Sequence, residues 1–124
     1  MTPEILRAEM AAWDHRDVDE VMSYFAEDAT YDIGASYPTL SGRDAIRKTI
    51  EAYFSRSVTD VDLKILHLAV DGNVVLMERL DHWIVNGKTI DTPVMGAYEV
   101  KDQKITAWRE YFIPPDSTQP RREP

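Results

Sequence analysis

The sequence predicts an α+β fold, and three observations carry that expectation. Apolar residues recur at helical spacing up to about Ser55, alternate strand-like from Val61 onward, and are then interrupted by the tight-turn pairs Asp71-Gly72 and Asn86-Gly87. Helices followed by a run of strands is the order of an antiparallel sheet with helices packed on one side. Long twisted strands of this kind are expected to curl around the helices as a cone and to leave a cavity between the layers.

Taken in order, Thr2-Pro3-Glu4 reads as an N-cap, a proline at the first helical position and an acid in the first turn. Ile5, Met10 and Trp13, with Ala11 and Ala12, form the apolar stripe of a helix ending near His15. Asp17 caps a second short helix whose inward residues are Val18, Val21, Met22 and Phe25. Glu27-Asp28 breaks the pattern, Ala29 to Ile33 is a short strand, and Gly34 to Pro38 is a loop. Ser41-Gly42-Arg43-Asp44 opens a third helix that ends around Ser55. Four strands follow: Val61–Val70, Val74–Val85, Thr89–Val100 and Lys104–Phe112. Pro93 inside the third of these predicts an edge position or a bulge.

A chain of 124 residues accommodates one domain, read here as residues 1–113, and a Pro-rich tail, 114–124, expected to be flexible. The net charge of −8 argues against nucleic acid or an anionic membrane as partner. The absence of cysteine excludes disulfides, thiolate metal sites and a cysteine nucleophile. The N-terminus has no signal-like apolar core and no apolar run approaches spanning length, so a cytoplasmic location is expected.

The chemistry concentrates in two strands. With period 2, Val75, Met77, Arg79, Asp81 and Trp83 share one face, and Val74, Leu76, Glu78, Leu80 and His82 the other. Both faces are largely apolar, so an arginine and an aspartate between Met77 and Trp83 should be paired or neutralised. On the last strand Thr106, Trp108, Glu110 and Phe112 share a face, with Ile105, Ala107, Arg109 and Tyr111 opposite. Two carboxyls and one arginine in an apolar pocket favour retention of a proton by one carboxyl. One group can then donate while the other accepts, as acid–base chemistry requires. The bland alternative is two unrelated surface pairs.

Glu78-Arg79-Leu80-Asp81, Gly96-Ala97-Tyr98 and Lys104 to Phe112 resemble the limonene-1,2-epoxide hydrolase family, within the SnoaL-like and NTF2-like (cystatin-like) cone fold. Phe25 to Tyr31 and Ser41 to Ile46 are similar as well. The resemblance implies Asp81 as the acid that protonates an epoxide oxygen and Glu110 as the base that activates water. Arg79 would bridge the two carboxyls, Tyr31 would help hold the water, and Trp108 would wall the pocket. The implied reaction is a one-step addition of water to a small apolar epoxide, with no metal and no cofactor. Ile33, Met77, Trp83, Val94 and Phe112 complete the expected substrate-binding surface.

Two residues depart from the family's pattern. Ile33 stands where the family has a water-holding asparagine, which leaves Asp32 or a backbone group to substitute, or a different chemistry in the same pocket. Glu110 is one methylene longer than the family's usual aspartate. A SnoaL-like cyclase or isomerase and a non-catalytic binding module are therefore the competing readings. Glu4, Glu9, Asp14, Asp17, Asp19 and Glu20 read as a solvated helix face, and His15, His67 and His82 as structural or exposed. An apolar outer face of Val74, Leu76, Leu80, Ile105, Ala107 and Tyr111 predicts a homodimer.

Overall fold

Asn86 and Gly87, both at positive φ (52° and 76°), close the hairpin on which the sheet is registered. A computed structural model describes residues 2–34, 37–55 and 57–112, so the expected flexible tail lies outside the described residues. The elements are α1 (Thr2–Asp14), α2 (Val18–Met22), β1 (Phe25–Asp32), β2 (Leu40–Ser41), α3 (Arg43–Tyr53), β3 (Val58–Asp71), β4 (Val74–Val85), β5 (Lys88–Lys101) and β6 (Lys104–Phe112). They build an α+β fold with one six-stranded sheet in the order β2-β1-β6-β5-β4-β3. β3 to β6 form the expected antiparallel meander, and β1 returns to lie parallel to β6. α1 packs on β3 and α3 on β1, so the helices cover one face.

The buried positions of α1 are Leu6, Glu9, Met10, Ala12 and Trp13, the i, i+3, i+4, i+7 spacing of one helix face. Asp17 caps α2 as expected, its Oδ1 accepting from the Glu20 amide at 3.2 Å. β1 begins at Phe25, earlier than expected, and Glu27 and Asp28 lie within it as exposed residues. A register shift against β6 between Phe25 and Thr30 absorbs the broken alternation. Pro93 lies on an interior strand with no bulge beside it; the described pairing of β5 with β6 starts one residue later, at Val94–Phe112.

A bulge between β5 and β6 changes the faces expected of β6. Glu99 pairs with Ala107 and Val100 with Ile105, which leaves Thr106 unmatched. Its hydroxyl donates to the Glu99 carbonyl at 3.2 Å. Parity reverses there, so Ile105 turns into the core at 0% exposure and leaves the outer face. On that outer face Leu76, Met95 and Tyr111 are exposed, interspersed with the pairs His67–Glu78, His82–Asp91 and Arg109–Glu99.

Candidate active site

β4 delivers Arg79 and Asp81 to the helix-covered face, where the arginine is 1% exposed. A guanidinium is a flat fork of N–H donors and grips a carboxylate with two parallel bonds. Here Nε donates to Asp81 Oδ1 at 2.7 Å and Nη2 to Oδ2 at 2.8 Å. Nη2 also donates to Glu110 Oε2 at 2.5 Å, and Nη1 to the Tyr98 hydroxyl.

β4 and β6 are separated by β5, so their backbones stand about 10 Å apart at ordinary strand spacing. The residue between them is Gly96, paired with Glu110 on one side and Met77 on the other. A Cβ there would lie 3.0 Å from Tyr98 Cε1, 3.2 Å from its hydroxyl and 3.4 Å from Arg79 Nη1. Glycine leaves the space in which the guanidinium reaches both Tyr98 and Glu110.

Tyr31 arrives from β1, which runs beside β6 with Tyr31 level with Trp108. The two rings stack at 4.3 Å between centroids. The Tyr31 hydroxyl donates to Glu110 Oε1 at 3.2 Å, so this carboxyl is held from both sides. The Tyr53 hydroxyl, at the end of α3, lies beside that of Tyr31.

Burial governs the proton affinities. It pushes Glu110 up, partly offset by the Arg79 charge, while Asp81 pushes it further up. Burial opposes the Arg79 charge, but Tyr98, Glu110 and Asp81 more than restore it, and the guanidinium stays protonated. Tyr31 and Tyr98 are pushed well above the usual phenol range by burial, which keeps both as neutral hydroxyls.

These groups line a cavity of about 300 Å³. Arg79, Asp81, Glu110, Tyr31 and Trp108 border it, together with the expected Ile33, Trp83, Val94 and Phe112. Met77 does not. It shares the Arg79 face but lies nearer the β3–β4 turn, where it is 0% exposed in the core with Val75, Tyr98 and Ile105. Asp32 does not substitute for the absent asparagine either: it accepts from Thr39 Oγ1 and is not among the lining residues.

Leu63, Val85, Ile90 and Thr92 also line the cavity without having been expected there, and four aromatic or acidic contributors escaped the sequence reading as well. Trp13 and Tyr53 line the cavity from the helix layer, Tyr98 holds Arg79 from β5, and Glu9 is fully buried behind Trp13. The Leu6-Glu9-Met10-Trp13 spacing was the available signal for Glu9, since it sits mid-stripe on an apolar helix face. Tyr98 stands in the Gly96-Ala97-Tyr98 segment of the family resemblance but with no role attached, and nothing local marks Tyr53, whose place depends on how the layers meet. Among the described residues no group of three or more His, Asp or Glu side chains is arranged to hold a metal ion, and no helix is long and apolar enough to cross a membrane.

A curved sheet with helices over one face, and a polar cluster at the cavity between, defines the ketosteroid isomerase-like and NTF2-like class. A Catenulispora acidiphila protein of ketosteroid isomerase-like fold, solved in complex with trimethylamine, superposes with a TM-score of 0.79. It is 24% identical, over 96% of this chain and 100% of that one, and supports the fold alone. Within the class the chain belongs to the limonene-1,2-epoxide hydrolase catalytic domain family, whose model matches residues 2–117. It is 30% identical over 107 residues to epoxide hydrolase EphG of Mycobacterium tuberculosis, covering 86% of this chain and 70% of that protein. The structure of an M. tuberculosis LEH-like epoxide hydrolase matches at 27% identity and a TM-score of 0.79, over 90% of this chain and 82% of that one.

Proposed function

We propose that this chain is a cofactor-independent epoxide hydrolase that adds water in one step to a small, largely apolar epoxide. The observation that supports it most is the single buried guanidinium bonded to two carboxyls at 2.5–2.8 Å beside an aromatic cavity. Arg79 balances one negative charge, so the reactive state keeps one proton on the carboxyl pair. The family resemblance gives Asp81 the part of proton donor in that state and Glu110 the part of base.

Glu110 takes a proton from water as the water oxygen bonds to an epoxide carbon. The carbon–oxygen bond of the ring breaks, and Asp81 gives its proton to the departing oxygen. A vicinal diol results, and proton return from Glu110 to Asp81 resets the pair. A proton affinity for Glu110 above the ordinary carboxyl range makes it a stronger base than an exposed glutamate. Ile33 offers the water no hydrogen bond, and the Tyr53 hydroxyl beside Tyr31 is the group we assign to that task.

Single-turnover reaction of an epoxide panel in ¹⁸O-water tests this directly. The label should enter the diol in the first turnover. Unlabelled first-turnover diol would mean that a carboxylate oxygen attacks instead. The competing cyclase or isomerase reading draws on Ile33, and predicts no diol from any epoxide.

The same reading includes a homodimer through the outer face of the sheet, where Met95 pairs with Tyr111 and Leu76 lies diagonally across. A monomer in sedimentation at micromolar concentration would contradict it.

A further inference from the structure

Glu9 is a carboxyl that the proposed reaction leaves unused. It is 0% exposed. Its Oε2 accepts from Trp13 Nε1 one turn along α1, and its Oε1 has no hydrogen-bond partner among the described residues. Arg79 and Asp81 on β4 and Glu110 on β6 act on it electrostatically, and it acts on Tyr98 of β5. None of the described Arg79 bonds reaches it; they go to Asp81, Glu110 and Tyr98. A fully buried carboxylate with one hydrogen bond from the protein and no bonded cation is poorly sustained. Burial accordingly pushes Glu9 from 4.5 up to about 8.

Trp13 is what this acid holds. Its ring stands 5.2 Å from Phe54, 5.7 Å from Trp108 and 6.2 Å from Trp83, each near edge-on. It is the side chain through which α1 borders the cavity, and its only polar atom is bonded to Glu9.

We propose that Glu9 is a positioning residue of this site: as an uncharged acid it fixes Trp13 across the cavity and withholds a further negative charge from the carboxyl pair bridged by Arg79. The first half of this role is independent of the reaction; the second rests on the hydrolase reading. Ionised Glu9 would set three carboxylates against one guanidinium and oppose ionisation of Glu110, the base.

The test follows the Trp13 indole N–H by ¹H–¹⁵N NMR, assigned with Trp13→Phe, alongside the pH profile of kcat/KM. The indole resonance should titrate with a midpoint near pH 8 and stop titrating in Glu9→Gln, which keeps an acceptor but cannot ionise. Glu9→Leu, which keeps neither, should also lose slow hydrogen exchange at that N–H by at least tenfold. For any epoxide turned over, Glu9→Gln should change the shape of the alkaline limb of kcat/KM, because the charge gained near pH 8 is gone while the carboxyl pair still titrates. An indole that titrates near pH 4.5, or is unmoved by Glu9→Gln, overturns the proposal, and an unchanged pH profile overturns its second half. Absence of all turnover would defeat the hydrolase reading while leaving the indole titration to decide the first half.

Discussion

On the outer face of the sheet Arg109 meets Glu99 with 31% and 38% of their side chains exposed; on the inner face Arg79 meets Asp81 and Glu110 with 1%, 12% and 8% exposed. The chemistry of the groups is the same and the surroundings are not. An exposed pair gains about 0.2–1 kcal/mol, because water competes for both partners. A buried pair has already lost its hydration, so removing one partner strands the other and costs about 3–5 kcal/mol. Arg109 and Glu110 are adjacent in the chain and end in opposite regimes only because successive strand residues point apart. The comparison teaches that the inner charges are poor candidates for simple stabilisation, since apolar residues could fill their space at less cost.

The largest effect expected comes from the inner face through pH. Glu9 has its proton affinity raised from 4.5 to about 8, so between those values the folded chain holds a proton that the unfolded chain has released. Its contribution is most favourable below pH 4.5 and is lost as pH rises, by about 5 kcal/mol over the whole window. Glu110, raised in the same direction, adds to that slope. Denaturant midpoints at pH 5 and pH 8 should differ accordingly in the wild type and much less in Glu9→Gln. Equal slopes in the two proteins would remove Glu9 from the account.

Arg79→Ala ranks next. It leaves Asp81 and Glu110 facing one another without a cation, and should destabilise by about 3–5 kcal/mol at neutral pH. Denaturation of Arg109→Ala under the same conditions should show a loss below about 1 kcal/mol. Comparable losses for the two arginines would erase the distinction between the faces.

A smaller change sharpens the inner site. Tyr53→Phe removes one of two hydroxyls to which the proposed reaction assigns the water and should lower kcat by about tenfold, the worth of one hydrogen bond of about 1.4 kcal/mol. Ile33→Asn should keep or raise turnover and restore part of what Tyr53→Phe loses. Steady-state kinetics of the two single variants and the double variant would show whether the groups share one role. Purely additive effects would separate them.

Much of this inner face was legible from strand parity. Arg79 and Asp81 two apart, and Glu110 between Trp108 and Phe112, are local patterns, and alternation along a strand depends on backbone geometry alone. Parity failed at Thr106, because a bulge is set by how two strands meet and leaves no mark on one of them. Met77 shares the expected face yet lies outside the cavity lining for a related reason: how far the helices close over that face is a property of the assembled layers. Glu9 was the costliest miss. A carboxylate among surface acids reads as solvated until Leu6, Met10 and Trp13 are seen to share its stripe.

The most direct test of the central claim is diol formation by wild type, Asp81→Asn and Glu110→Gln across cyclic, terminal and bulky epoxides. The amides keep the shape of the site while removing the proposed proton donor in one case and the proposed base in the other. The account predicts turnover of at least one epoxide by the wild type and its loss, by a thousandfold or more in order of magnitude, in each amide variant. Diol formation that survives in either variant, or a wild type that converts none of the panel, would contradict it.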